Sequence, residues 1–301
     1  MKFSLAHFSD VHLGPLPRAA LTHHPAFKKV IGAASWHFNR RFAHLPKIAE
    51  NVRADILAAR PDHIAFTGDL VNISAHQEFN NGQDWLKPFG APDSLSYTPG
   101  NHDAYVPVPW DQGLGQFAPF MTNENPKDLT FPFIRLRRNI ALIGINGACP
   151  QSIFRAGGTI GAAQLAKLAK NLKALKDRGF YRAVMIHHPP APGLTHPVRS
   201  LSDAAALQSI LEHEGAELVI HGHNHTRSLS YLEGKSGRIP VVGVPSASMK
   251  PSARHPGAAW NLYEIERVKS QWQTNMKIRQ WDASSNSMVD GDQLELGSNA
   301  A

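Results

Sequence analysis

Eight side chains of types that bind transition metals fall into five short clusters: Asp10 with His12, Asp69, Asn101 with His102, His187, and His223 with His225. Histidine is the usual nitrogen donor for borderline divalent ions, and carboxylate or amide oxygens complete such sites. This mixture suits Mn, Fe, Zn or Co, whereas calcium would want mostly oxygen. One ion needs fewer donors than these once water is counted, so two ions sharing a bridging carboxylate account for the set better.

The clusters sit where predicted strands end. Residues 2–9 read as a buried strand running into Asp10-Val11-His12, and residues two apart in an extended segment face the same side. Ile64 to Thr67 leads into Gly68-Asp69, and Leu95 to Thr98 leads into Pro99-Gly100-Asn101-His102-Asp103. Ala183 to Ile186 runs into His187-His188-Pro189-Pro190, and Glu217 to Ile220 into His221-Gly222-His223-Asn224-His225. Helices are predicted after Pro46, over 75–89, over 161–178 and over 202–212. The strand–helix–strand order predicts parallel βαβ units, whose functional groups collect at the carboxyl ends of strands. Residues 131–136 and 140–145 read as a hairpin, and 239–244, 260–268 and 271–281 as further strands.

With 301 residues and 42% hydrophobic content, the chain suits one large α/β domain, placed over residues 1–283. The tail, 284–301, is rich in Ser, Asn, Asp and Gly and is expected to be disordered or loosely attached. The amino-terminal residues lack the apolar core of a signal peptide, and no apolar run approaches the length of a membrane span, so a cytoplasmic protein is expected. Cys149 is the only cysteine, which excludes an internal disulfide and a thiolate metal site. The net charge of +7 favours anionic partners in general but is too moderate to select nucleic acid.

Residues 27–42 form a predicted basic amphipathic insertion. Phe27, Val30, Ile31, Ala34, Phe38 and Phe42 share one helical face, opposite Lys28, Lys29, Trp36, Asn39 and Arg40, while Arg41 falls on the apolar side. Such a helix can pack on the core, lie on the inner face of a membrane as a peripheral contact, or cap a site for an anionic, partly apolar substrate. Trp36, Arg40 and Arg41 are the candidate substrate contacts.

The five clusters, taken in order, resemble the calcineurin-like metallophosphoesterases, whose signature runs Asp-x-His, Gly-Asp, Gly-Asn-His-Asp/Glu, His and Gly-His-x-His. The resemblance covers residues 5 to about 226. It implies a four-layer α/β/β/α sandwich of two mixed β-sheets flanked by helices, and a binuclear metal-dependent hydrolase of phosphodiester or pyrophosphate bonds. By this resemblance Asp10, His12, Asp69 and His225 hold one ion, and Asp69, Asn101, His187 and His223 the other. Two ions about 3.5–4 Å apart polarise a phosphoryl oxygen and lower the pKa of a shared water, whose hydroxide would attack phosphorus in line. His102 resembles the family histidine that stabilises the transition state or protonates the leaving group. The family's protein phosphatases carry Gly-Asp-x-x-Asp-Arg-Gly, but here the stretch is Gly68-Asp69-Leu70-Val71-Asn72-Ile73-Ser74, which argues against that branch.

Chain length and motif context look most like the bacterial class III cyclic nucleotide phosphodiesterase group. A second candidate is similar to the pyrophosphatases that cleave UDP-2,3-diacylglucosamine in lipid A synthesis, favoured by the basic aromatic insertion. A nuclease ranks third, and a non-catalytic scaffold last because no ligand position is lost. The substrate class is thus a small-molecule phosphodiester or a nucleotide diphosphate, and the oligomeric state is open. His188 is a candidate substrate contact or a turn filler, His221 and His7 are expected to be buried, and Asp103 to orient its loop. His23, His24, His37 and His44 are expected at the surface of the insertion.

Overall fold

The structure, a computed structural model, describes residues 2–18, 20, 27–125, 127–235 and 237–300, the last three by their backbone alone. In the amino-terminal half, β1 (Phe3–Phe8), β2 (His63–Phe66) and β3 (Leu95–Tyr97) lie parallel, with Leu5 opposite His63 and Ile64 opposite Leu95. The crossover from β1 to β2 contains α1 (Phe27–Ser35), a π-helical turn at Trp36–Arg40, α2 (Arg41–Ala43) and α3 (Pro46–Ala59). Helix α4 (His76–Leu86) precedes β3. Pro46 at the start of α3 has no N–H to leave unpaired, and Arg60 closes that helix in the left-handed region.

The second half contributes the predicted hairpin, β4 (Phe133–Arg137) with β5 (Ile140–Gly144). There follow α5 (Ala162–Asp177), β6 (Tyr181–Met185), α6 (Ala204–Glu214), β7 (Leu218–His221), β8 (Ser228–Gly234) and β9 (Gly237–Gly243). Strands β10 (Ala259–Val268), β11 (Gln271–Asp282) and β12 (Ser287–Ala300) complete the chain. One six-stranded sheet has the order β12-β11-β10-β1-β2-β3 and the other β4-β5-β6-β7-β9-β8.

Three apolar layers hold these elements together. Phe3, Leu5, Tyr181, Met185, Leu218, Tyr263 and Met276 fill the space between the two sheets. Val52, Ile56, Phe79 and Leu86 of α3 and α4 pack on Phe8 and Phe66, while Leu168, Leu172, Leu207 and Leu211 of α5 and α6 cover Val184 and Val219. Each fully buried large apolar side chain contributes about 1.5–3 kcal/mol. The result is the expected four-layer sandwich of two mixed sheets between helices. It aligns the carboxyl ends of β1, β2, β3, β6 and β7 at one rim.

Two expectations need correction. The tail is not loose: β12 pairs with β11 from Ser287 opposite Asp282 to Ala300 opposite Gln271, and Leu296 is buried between the sheets. The ladder carries register shifts between Gln273 and Asn275 and between Lys277 and Arg279, so an edge strand with two glycines shows no clean alternation in sequence. The insertion is also inverted relative to core packing. Phe27, Val30, Ile31, Phe38 and Phe42 are exposed, Phe27 and Phe38 by about 70%, whereas Lys29 is buried.

Candidate metal centre

Tight turns at the strand ends aim the ligand-type side chains. Asp10, His12, Asp69, His223 and His225 all have positive φ, between 44° and 70°. Such conformations cost non-glycine residues energy and persist where the surroundings over-determine them, as at functional sites. Gly68 at φ 92° lies so close to the Gly100 turn that any side chain would collide with the Gly100 amide. At Gly222 a side chain would strike Ser9 and the Asp10 carboxylate.

Each buried carboxylate spends one oxygen on the backbone and turns the other inward. The His223 amide donates to Asp10 Oδ2 at 2.9 Å, while Asp10 Oδ1 has no hydrogen-bond donor and lies 3.1 Å from His225 Nε2. The His102 amide donates to Asp69 Oδ1 at 2.7 Å. Asp69 Oδ2 then lies 3.2 Å from His187 Nε2 and 3.9 Å from His12 Nε2, between the two halves of the cluster.

The donor pattern is one that a cation resolves. His187 donates its Nδ1–H to the Thr67 carbonyl at 2.6 Å, so the neutral ring carries a lone pair at Nε2. That lone pair faces Asp69 Oδ2, the Asn101 side-chain oxygen at 3.3 Å and His223 Nδ1 at 3.2 Å. His12 Nε2 and His225 Nε2 stand 3.2 Å apart in the same way. Burial alone would lower the basicity of His187, but Asp69 and then Asp10 outweigh it and raise its pKa to about 9. A positive charge is therefore favoured at this point. Buried oxygens and imidazole nitrogens converging in this way fit divalent metal ions, and Asp69, His187 and His223 form one group of suitable spacing.

The remaining candidates divide sharply. His102 donates Nδ1–H to the Asn72 carbonyl at 2.5 Å, so a backbone oxygen at the position of the missing family aspartate orients its ring. Burial and the nearby Arg40 hold His102 down to about 3, a neutral ring. Arg40 reaches the centre from the π-helical turn, with Nη1 3.0 Å from His102 Nδ1, and makes no ion pair among the described residues. Trp36 packs beside Gly14 and Pro46, and Arg41 lies over the Phe42 ring, so neither of these two predicted contacts lines the site. His188 is also displaced from its predicted contact role: it is fully buried behind His187 and His223, with Nε2 3.2 Å from the Ala156 carbonyl.

His7 and His221 are buried as expected, bonded to Thr67 and to the Gly222 carbonyl. His37 is exposed, and His23 and His24 lie outside the described residues. His44, expected at the surface, is buried against His12. Asp103 does more than orient its loop. Its carboxylate accepts from the amides of Asp69, Leu70, Val71 and Gly100 and from the Tyr97 hydroxyl, clamping the second and third motifs together.

Two connected cavities open here. One of about 210 Å³ is lined by Asp69, Asn101, His102, His223 and His225 with Arg40 and Arg199 at its rim. The other, about 300 Å³, adds Lys28, Tyr105, Phe154 and Arg155, and no carboxylate lines it. Sequence reasoning missed Lys28, Arg155 and Arg199 as wall residues, because they come from the insertion and from loops without a motif.

The family model for calcineurin-like phosphoesterases matches residues 3–227, the stretch that builds this centre. The chain belongs to that family. A cAMP/cGMP dual specificity phosphodiesterase from Mycobacterium tuberculosis is 28% identical to this calcineurin-like phosphoesterase over 193 residues, covering 63% of this chain. The chain spans only 55% of that protein's length. A probable cyclic nucleotide phosphodiesterase of Synechococcus is 25% identical over 269 residues, covering 88% of this chain and 89% of its own. A dimetal phosphatase from Danio rerio shares the fold with a TM-score of 0.64 at 12% identity, covering 98% of both chains.

Proposed function

We propose that this calcineurin-like phosphoesterase hydrolyses a small-molecule phosphodiester with two divalent ions, drawn from Mn, Fe, Zn or Co. The observation that carries the reading is His187 Nε2 facing three further ligand atoms, Asp69 Oδ2, Asn101 Oδ1 and His223 Nδ1. Asp10, His12, Asp69 and His225 would hold one ion, and Asp69, Asn101, His187 and His223 the other, with Asp69 as the bridge. When bound, such a pair supplies Lewis-acid stabilisation of the phosphoryl group and lowers the pKa of a coordinated water.

The chain's own residues do the rest. Arg40 and Arg199 at the cavity rim bind the substrate's non-bridging oxygens, since neither forms an ion pair among the described residues. His102, fixed by Asn72, turns its free Nε2 to the leaving-group side. A bound phosphate offsets the charge of Arg40 and adds a negative charge beside the ring, which opposes the lowering by burial and Arg40 and favours a proton on His102 for the leaving oxygen. A cyclic nucleotide is the first substrate to test, because both sequence relatives carry that activity in their names.

A diphosphate-linked lipid nucleotide of the UDP-2,3-diacylglucosamine type is the second reading. It is favoured by the exposed apolar stripe beside a cavity lined by four cations. In this reading the stripe makes peripheral contact with the inner face of a membrane. Among the described residues no helix is long and apolar enough to cross one. The test is turnover of bis-p-nitrophenyl phosphate with Mn, then of cyclic AMP and the lipid nucleotide side by side. Activity that persists in Asp69→Asn and His223→Ala would overturn the two-metal reading.

A further inference from the structure

His44 belongs to no motif, yet it stands against the first ligand group. Its ring centroid is 4.5 Å from that of His12 and 5.3 Å from that of His225. One nitrogen from each of the three rings lies within 4.8 Å of the other two. Its Nδ1 lies 2.8 Å from Ser248 Oγ, and the Ser246 hydroxyl next to it donates to the Asp10 carbonyl at 2.7 Å. The Ser248 hydroxyl can accept Nδ1–H, and in that tautomer the lone pair is at Nε2. A ligating histidine characteristically gives its other N–H to such a partner, as His187 does to Thr67.

The backbone keeps the ring in place. The His44 amide donates to the Arg40 carbonyl, the Leu45 amide to Ser248, and the Lys250 amide to Ala43. The end of the insertion is thereby stitched to the segment that also carries Ser246 beside Asp10.

We propose that His44 is a further ligand of the ion held by Asp10, His12 and His225, so that a coordinate bond fastens the 27–43 segment to the metal centre. The inference rests on the two-metal reading. It also gives the insertion a reason to follow the first motif, because Arg40 lies one helical turn before His44 and is positioned by the same attachment.

The test is Co(II) binding to metal-free wild type, His44→Ala, His44→Gln and the exposed control His37→Ala, followed by chelator competition and visible absorption. The expected result is one of the two ions bound about 10–100-fold more weakly in the His44 variants, with an altered absorption band and no change in His37→Ala. Thermal unfolding of the metal-free proteins checks that the variants keep the fold. An anomalous map of Co-loaded wild type gives the variant-free readout, with His44 Nε2 at about 2.0–2.1 Å from the ion. Wild-type affinity and spectrum in His44→Ala, or His44 beyond bonding distance in the map, overturns the role of His44 alone. Fewer than two ions in wild type overturns the two-metal reading and this inference with it.

Discussion

His187 Nε2 lies 3.2 Å from Asp69 Oδ2, although the Nδ1–H of the same ring is already given to the Thr67 carbonyl. With its pKa raised to about 9, the metal-free ring takes a proton at Nε2 and pairs with Asp69, and a metal ion would take the place of that proton. Replacing His187 with Ala should therefore remove one ion and lower kcat/KM by at least about 100-fold. The metal-free variant should unfold earlier than metal-free wild type, because Asp69 loses the protonated partner that His187 supplies there. Calorimetry with and without Mn checks both halves, and an unchanged metal content or an unchanged metal-free stability would count against the account.

Among the described residues Arg40 meets the centre without an ion-pair partner. Arg40→Ala should raise KM for a phosphodiester and cost about 10–100-fold in kcat/KM, with Arg40→Lys recovering little because the planar fork is lost. Arg41→Ala should behave as wild type, since the Arg41 side chain covers Phe42 and reaches His37 away from the cavity. Steady-state kinetics on bis-p-nitrophenyl phosphate separates the two, and equal effects would remove Arg40 from the site.

Asp103 satisfies four backbone amides and a hydroxyl from within the core. An asparagine there offers one acceptor oxygen and adds two donors, so Asp103→Asn should lose about 2–4 kcal/mol of stability. Urea denaturation measures this. A loss below about 0.5 kcal/mol, the range of ordinary surface substitutions, would show that the clamp is dispensable.

Burial, assisted by His221, holds His7 down to about 3 against the opposing pull of Asp10. The folded value lies below the ordinary 6.5, so the native state binds fewer protons than the unfolded chain. Stability is thus intact above pH 6.5 and falls as pH drops from 6.5 toward 3, by up to about 1.4 kcal/mol per pH unit from this one residue. His7→Gln should flatten that slope. Urea midpoints of the metal-free proteins at pH 7 and pH 5 check it, and parallel losses in both would contradict it.

The candidate metal ligands could be picked out in sequence because each follows an apolar strand closely, and the parallel topology carries those strand ends to one rim. Residues that arrive by other routes were not. Arg199 comes from a loop with no periodicity, and His44 lies 32 positions beyond the nearest motif histidine, placed only by its pairing near Ser248 and Met249. The insertion was legible as an amphipathic helix, but its orientation was not. Periodicity identifies two faces without saying which one turns inward, and here Lys28 and Arg40 point to the cavity while the phenylalanines face outward. Strand β12 was hidden because an edge strand bonds through its backbone and needs little apolar alternation.

The central claim is that Asp69 bridges two ions, and metal content measured on Mn-reconstituted protein tests it most directly. Wild type should retain two Mn per chain after dialysis, and Asp69→Asn should fall to one or none. Two ions retained in the variant, or one at most in wild type, would contradict the account.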